Sequence, residues 1–208
     1  GDWSSDVCSS DLGSGRNNRH NALEMGSSKM KWAISLIKGP GSSDRSKNRF
    51  LIFSQWTSAL RILEHHLSKH GISFVSYDGG MSMSDREGAL RKWSSDSSIT
   101  CFVSSLKAGG VGLNLVEANR VIILDPWYSP APEDQAQDRS HRIGQTRPVV
   151  VYKAVASFSS KATRNPASQS IDHAVHKLQS KKRRLSTLVV KGLGTLHRVS
   201  GQGRSEEH

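Results

Sequence analysis

Short apolar runs, separated by helical patterns, constrain the fold of this chain more than any other feature. The run Phe50–Phe53 is entirely apolar, the pattern of a strand buried on both faces of a sheet. Four further segments are typical of strands: ISFVSY (72–77), SITCFVSS (98–105), NRVIILDP (119–126) and RPVVVYKAV (147–155). Because strands and helices alternate, we expect an α/β fold with a doubly wound parallel sheet and right-handed crossovers. In such a sheet, ligands bind beyond the carboxyl ends of the strands.

The helical patterns lie between and beside these runs. Residues 28–38 show an apolar stripe at helical spacing, and we expect Ser28 to cap that helix. Ser84 and Glu87 have the spacing of a capping box for a later helix. The segment PAPEDQAQDRSHRIGQ (130–145) is expected to be helical after its prolines.

A last helix is expected from about residue 170. Ile171, Val175 and Leu178 would form its apolar side, ahead of the basic run KKRR at 181–184. That run is either a solvated helix face or a phosphate contact.

Composition adds a strong basic charge. The 208 residues suffice for one domain of ordinary size, and the formal net charge is +11. Residues 1–12 contain three acids and no bases, and residues 204–208 carry one net negative charge, so the remaining chain carries +15. This charge favours a polyanion such as nucleic acid, although a solvated basic surface would show the same excess. The two cysteines suggest no disulfide framework, and no apolar run has the length of a membrane span.

Two glycine- or serine-containing segments follow predicted strands. In SSLKAGGVGLNL (104–115), three glycines allow backbone amides to approach and cradle a phosphate. The segment is not a P-loop, a motif that occurs nowhere in the chain, and an ordinary tight turn is the alternative. In FSQW (53–56), small polar groups follow a buried strand directly, a pattern that an ordinary helix cap would also produce.

The segment QAQDRSHRIGQ (135–145) contains the sharpest chemical signal. Arg139 and Arg142 are three residues apart, so on a helix they would project from one face. Two guanidinium groups on one face suit the charge of a transferring phosphoryl group. The alternative is a pair of surface arginines satisfied by Asp134 and Asp138.

In this order and spacing, the segments resemble a known family. FLIFSQW, YDGGMS and the continuous stretch from SSLKAGGVGLNL to RPVVVYK are similar to the second RecA-like lobe of the Swi/Snf-type ATPases of helicase superfamily two. The resemblance covers residues 28–156, and the basic helix near 170–185 resembles the family's brace-like helix. The wording SLKAGGVGLNL is more similar to the helicase-like transcription factor and post-replication-repair branch than to the nucleosome-sliding branch.

The resemblance implies roles for individual residues. Arg139 and Arg142 match the arginine fingers, which reach ATP bound on the first lobe. The positions that would meet the nucleotide are Gln135, Gly110, Gly112 and Asn114. The positions near the phosphates of the tracked DNA strand are Ser54, Gln55, Ser105 and Lys107. Asp125, Pro126 and Trp127 match a turn that follows the next strand. No metal ligand is predicted in this chain.

The resemblance also implies partners. ATP would bind with Mg²⁺ mainly on an N-terminal RecA-like lobe, whose P-loop and D-E-x-H motifs this sequence does not contain. The remaining partners would be double-stranded DNA and nucleosomes in the nucleus, with no membrane. The function implied is half of a DNA-dependent ATPase and translocase, inactive alone; the alternatives are a non-catalytic DNA- or partner-binding module and an unrelated flavodoxin-like binder.

Departures from the family pattern set the expected domain boundaries. Gly80 stands where the family commonly has serine, and an atypical insert at 157–169 separates the lobe at 28–156 from the basic helix and tail at 170–203. Residues 13–27 are expected to be a linker. The ends, residues 1–12 and 204–208, resemble translated sequencing adapter, and we expect them to carry no function.

Overall fold

The computed structural model describes residues 27–39, 48–108, 113–157 and 170–201, with the side chains of the last range described through residue 189. Within these ranges lie ten elements, in chain order: α1 Ser28–Lys38, β1 Phe50–Ser54, α2 Thr57–Lys69, β2 Phe74–Tyr77, α3 Met83–Ser95, β3 Cys101–Ser105, β4 Arg120–Ile123, α4 Pro130–Gln137, β5 Val150–Lys153 and α5 Ile171–Gly201.

The five strands form one parallel sheet in the order β2-β3-β1-β4-β5. The central strand β1 and its neighbour β3 are buried at every position. Apolar side chains pack on both faces of the sheet in two separate core clusters, which explains why the strands lack an alternating pattern. The expected α/β fold with a parallel sheet is confirmed. All carboxyl ends therefore meet at one edge of the sheet.

Two helices begin at residues other than those predicted. The N-cap of α1 is Ser27, whose hydroxyl accepts a hydrogen bond from the Met30 amide, and not Ser28. The capping serine of α3 is Ser82, which accepts from the Asp85 amide at 3.2 Å, and the pair Ser84 and Glu87 lies inside the helix. Ser82 and Ser84 each precede an acid by three residues, so this spacing alone could not decide which serine caps the helix.

Helix α4 is shorter than the sequence predicts. It ends at Gln137 with Asp138 as its C-cap, so Arg139 and Arg142 do not lie on a helix face. Tertiary hydrogen bonds replace the helical ones here, because the Arg139 carbonyl accepts from the Leu115 amide at 3.1 Å. The prediction of one helix through residue 145 is wrong for this reason.

Helix α5 rests on α4 along a different side from the one predicted. Val175 and Gln179 are its buried residues, four apart on one face, whereas Ile171 and Leu178 are 77% and 39% exposed. The expected apolar side is therefore wrong for Ile171 and Leu178. Within the described ranges, no helix combines the length and apolar character required to cross a bilayer.

Candidate functional site

The carboxyl edge of the sheet places two predicted serines side by side. Ser54 ends β1 and Ser105 ends β3, and the two residues are paired in register. The Leu106 amide donates to the Ser54 carbonyl at 3.0 Å, which continues the pairing past the strand ends. Gln55 follows at a partly buried position, and Lys107 is exposed. The structure therefore brings together all four positions that resemble DNA contacts, from segments about fifty residues apart.

The hydroxyls of both serines are engaged within the chain. Ser54 is fully buried and donates to the Asp125 carboxylate, while Ser105 accepts from the Ala108 amide at 3.2 Å. These bonds set the backbone where each strand ends. Exposed groups at this edge include the Lys107 side chain, the flank of Gln55 and the Trp56 ring, so the buried serines shape the edge more than they line it.

Asp125 joins this edge to two helices that the sequence did not connect with it. Lys29 of α1 lies 3.5 Å from an Asp125 oxygen and 2.7 Å from Asp172 at the start of α5. Asp172 also accepts from the Ala156 amide at 2.7 Å. Lys29 thus ties the strand-end turn to both helices. No local pattern marked it, because its partners lie about one hundred residues or more away.

The arginine segment lies beside the loop that follows β3. Arg139 is partly buried, and its Nε atom is buried without a hydrogen-bond partner among the residues that the structure describes. Arg142 is exposed. Asp134, one of the two acids that could pair with these arginines, lies 2.5 Å from Arg183 of α5. A buried guanidinium N–H without a partner is costly, and a bound anion is the natural acceptor for it.

The predicted nucleotide positions are described only in part. Gly110 and Gly112 lie outside the described residues. Asn114 and Gln135 are both exposed. The hydrogen bond from the Leu115 amide to the Arg139 carbonyl places the Asn114 segment against the arginine segment, so two motifs that are about 25 residues apart in sequence share one surface.

Sequence reasoning missed a buried carboxylate beside this surface. Glu133 in the first turn of α4 is fully buried and accepts three hydrogen bonds: from the Trp127 amide at 2.7 Å, from Lys153 Nζ at 2.6 Å and from Gln179 Nε2 at 2.6 Å. Gln179 also donates to the Trp127 carbonyl. The network docks α5 on the turn after β4. The residues themselves gave no signal, because a glutamate after two prolines is typical of an exposed first turn.

The basic run of α5 is divided between two roles. Lys182 donates to the Tyr128 carbonyl at 2.9 Å and Arg183 pairs with Asp134, so these two residues hold the helix on the lobe. Lys181 and Arg184 are exposed. The phosphate contact considered for the run remains a prediction for the exposed pair.

A buried thiol and the larger of two cavities lined by described residues lie away from this surface, while a cavity of about 260 Å³ between Lys29, Trp56 and Asp125 lies beside it. Burial raises the pKa of the Cys101 thiol, which disfavours the thiolate needed for nucleophilic chemistry. A cavity of about 580 Å³ opens at the opposite, amino-terminal edge of the sheet, between Trp32, His70 and Arg120, and no predicted site residue lines it. The chemistry-bearing groups therefore converge at the carboxyl edge and not in the larger cavity.

Comparison with known proteins shows that the chain is similar to helicases and DNA repair proteins. The model of the helicase conserved C-terminal domain matches residues 28–144. The chain is 41% identical over 154 residues to the helicase-like transcription factor CHR27 of Arabidopsis thaliana, covering 74% of this chain and 13% of that protein. It is 43% identical over 129 residues to the DNA repair protein RAD5A of the same plant, covering 62% of this chain and 12% of that protein.

A solved structure shows the same likeness in three dimensions. The C-terminal part of the Fun30 ATPase domain superposes with a TM-score of 0.64 at 36% identity, covering 74% of this chain and 46% of that chain. The chain spans about an eighth of the length of the two plant relatives, CHR27 and RAD5A.

Proposed function

We propose a function from the premise that the chain belongs to the helicase conserved C-terminal domain family, as the second RecA-like lobe of a Swi/Snf-type protein. The chain would be one half of a DNA-dependent ATPase. Its parent protein would translocate on double-stranded DNA in the nucleus, acting in DNA repair or on nucleosomes. The names of its relatives support this proposal, since they include DNA repair proteins and ATP-dependent helicases.

The observation that carries the proposal is the Nε of Arg139, which has no hydrogen-bond partner within the described part of the chain. A guanidinium N–H that is buried without an acceptor fits an anionic ligand, and the adjoining Arg142 side chain is exposed. ATP with Mg²⁺, held mainly by the first lobe, would supply a phosphoryl group whose transfer redistributes charge over its oxygens. Arg139 and Arg142 would stabilise that charge. Gln135, Asn114, Gly110 and Gly112 would line the same lobe face.

The DNA-binding part of the proposal depends on charge at the carboxyl edge. Lys107 is exposed there beside Gln55, and Ser54 and Ser105 set the course of the backbone that presents them. Backbone amides and small polar side chains contact phosphates without reading sequence. The net charge of +15 between the two acidic ends supports binding to a polyanion.

Replacing Arg142 with alanine in the full-length protein tests the catalytic role. We expect kcat to fall by about 10³-fold, within the range of arginine fingers, while ATP affinity and DNA binding change little. Arg142→Lys should not restore the rate, because an ammonium cannot reproduce a planar two-point contact. Single-turnover hydrolysis and nucleotide titration separate these effects.

Arg91→Ala is the matched control. Arg91 is an exposed arginine on α3, paired with Glu87 at 3.6 Å and placed in no proposed site, so its loss should leave hydrolysis unchanged. If Arg142→Ala keeps near-normal hydrolysis in a folded, DNA-binding protein, the finger assignment is wrong. That outcome would favour the alternative, a module that binds DNA without contributing to catalysis. The lack of a P-loop in this sequence favours the same alternative.

A further inference from the structure

The side chain of Gln145 makes several of the hydrogen bonds that fasten the arginine segment to the loop after β3. Its Nε2 atom lies 2.8 Å from the Val116 carbonyl, 2.7 Å from the Ala118 carbonyl and 3.3 Å from the Ser140 carbonyl. We infer that Gln145 is a positioning residue, which holds Arg139 and Arg142 in place through the backbone and makes no contact with nucleotide itself.

The local backbone is shaped so that this side chain can reach back. Gly144 has a φ of +104°, a conformation that side-chain-bearing residues rarely adopt, and no described atom lies where its Cβ would be. A side chain at position 144 is therefore disfavoured by the backbone conformation and not by lack of space. On the far side, Gln145 Oε1 accepts from the Arg147 amide at 3.0 Å. Both ends of the amide are satisfied, which fixes its orientation.

The fastening is continuous with the hydrogen bonds of the two arginine neighbours. Ser140 Oγ donates to the Ala118 carbonyl at 2.5 Å, and the Leu115 amide donates to the Arg139 carbonyl. Arg147 also donates to the Glu117 carbonyl. Among the described residues, the 138–147 segment therefore meets residues 115–118 through five hydrogen bonds, and Gln145 supplies the donors for two of them. With no helix under Arg139 and Arg142, these links and the local turn hydrogen bonds to the Gln137 and Arg142 carbonyls set the arginine backbone.

Only an amide satisfies this position well. A glutamate at 145 would direct negative charge at carbonyl oxygens, and a methionine would keep the volume without donating. In either variant the Val116 and Ala118 carbonyls lose a partner, and the segment that carries the arginines gains freedom. Loss of geometry at a reacting centre lowers rate more than ground-state binding.

Gln145→Met in the full-length protein tests the inference, which depends on the proposed function for its catalytic readout. We expect kcat to fall by about 10-fold to 100-fold, with KM for ATP and affinity for DNA changed less than about 3-fold. In a background that carries both Arg139→Ala and Arg142→Ala, the same substitution should change kcat less than about 2-fold, because both groups that it positions are gone. Gln137→Met is the control, since Gln137 ends α4 directly before this segment and its side chain makes no hydrogen bond to the described residues.

A second measurement does not depend on activity. Hydrogen exchange on the same full-length protein should show the Leu115 amide, which is bonded to the Arg139 carbonyl, exchanging at least about 10-fold faster in Gln145→Met than in Gln137→Met. Unchanged Leu115 protection, or an equal loss of kcat with and without the two arginines, would overturn the inference. If instead Arg142→Ala alone leaves kcat intact while Gln145→Met loosens Leu115, the proposed function fails and the structural fastening stands.

Discussion

Replacing Glu133 with glutamine tests how the buried carboxylate holds α5 on the lobe. The side chain is fully buried, and it accepts from the Trp127 amide, Gln179 and Lys153, all at 2.6 to 2.7 Å. A glutamine can still accept from the two neutral donors through one oxygen. Its NH₂ group would then face the Lys153 ammonium, donor against donor.

The size of the stability loss depends on which hydrogen bond is lost, and here it is the one from Lys153. A hydrogen bond to a charged group contributes about 1.5–3 kcal/mol. Lys153 is 29% exposed, so its freed ammonium can regain some water, which places the expected loss near ~2 kcal/mol of unfolding free energy. For a chain of this size that corresponds to a fall in Tm of about 4–8 °C. Lys153→Met should cost more, about 3 kcal/mol, because it leaves a buried carboxylate without its counter-charge.

The double variant decides whether the two residues act as a pair. In Glu133→Gln with Lys153→Met, the buried charge and its partner are both gone, so the loss should be smaller than the sum of the single losses by about 1–2 kcal/mol. Urea unfolding of residues 13–203, followed by circular dichroism, measures all three. The exposed pair Glu87–Arg91 is the control, with an expected coupling below about 0.5 kcal/mol. Additivity within about 0.5 kcal/mol at Glu133 and Lys153 would refute the reasoning.

Three further predictions concern the chain spanning residues 13–203. Alone it should hydrolyse no ATP above background, with or without DNA, because its sequence contains no P-loop; steady DNA-stimulated hydrolysis by a clean preparation would contradict this. It should bind duplex DNA of any sequence with Kd near 10⁻⁴–10⁻⁶ M at about physiological salt, falling steeply as salt rises through loss of counterion release. Affinity that does not depend on salt would count against phosphate contacts. Finally, burial raises the pKa of Glu64, although a hydrogen bond from Ser76 opposes the shift. A raised pKa in the folded state stabilises the protein below the unfolded pKa, and this stabilisation disappears as pH rises through the folded value. Glu64→Gln should therefore raise the unfolding free energy at pH 7 by less than ~1 kcal/mol and converge with the parent near pH 4; a less stable variant at pH 7 would show that the carboxylate contributes a net favourable contact.

The sequence by itself determined the sheet and the positions of its ligand-binding segments. Apolar runs such as Phe50–Phe53 can be buried only on both faces of a sheet, and their alternation with helices required parallel strands. Parallel strands bring Ser54 and Ser105 to one edge whatever the details of packing. These features depend on period and order along the chain, which are local properties that a sequence displays directly.

The tertiary structure alone decided where α4 ends and which polar side chains are buried. Nothing near Arg139 ends a helix; its carbonyl leaves the helical pattern because the Leu115 amide, from a distant loop, takes it as acceptor. Likewise, the sequence alone would place Glu133 and Lys29 at the surface. Their bonds to Gln179 and Asp172 of α5 form only in the folded structure. Hydrogen bonds and ion pairs between distant segments form only after the core has brought those segments together, so their free energies are not encoded in any local pattern.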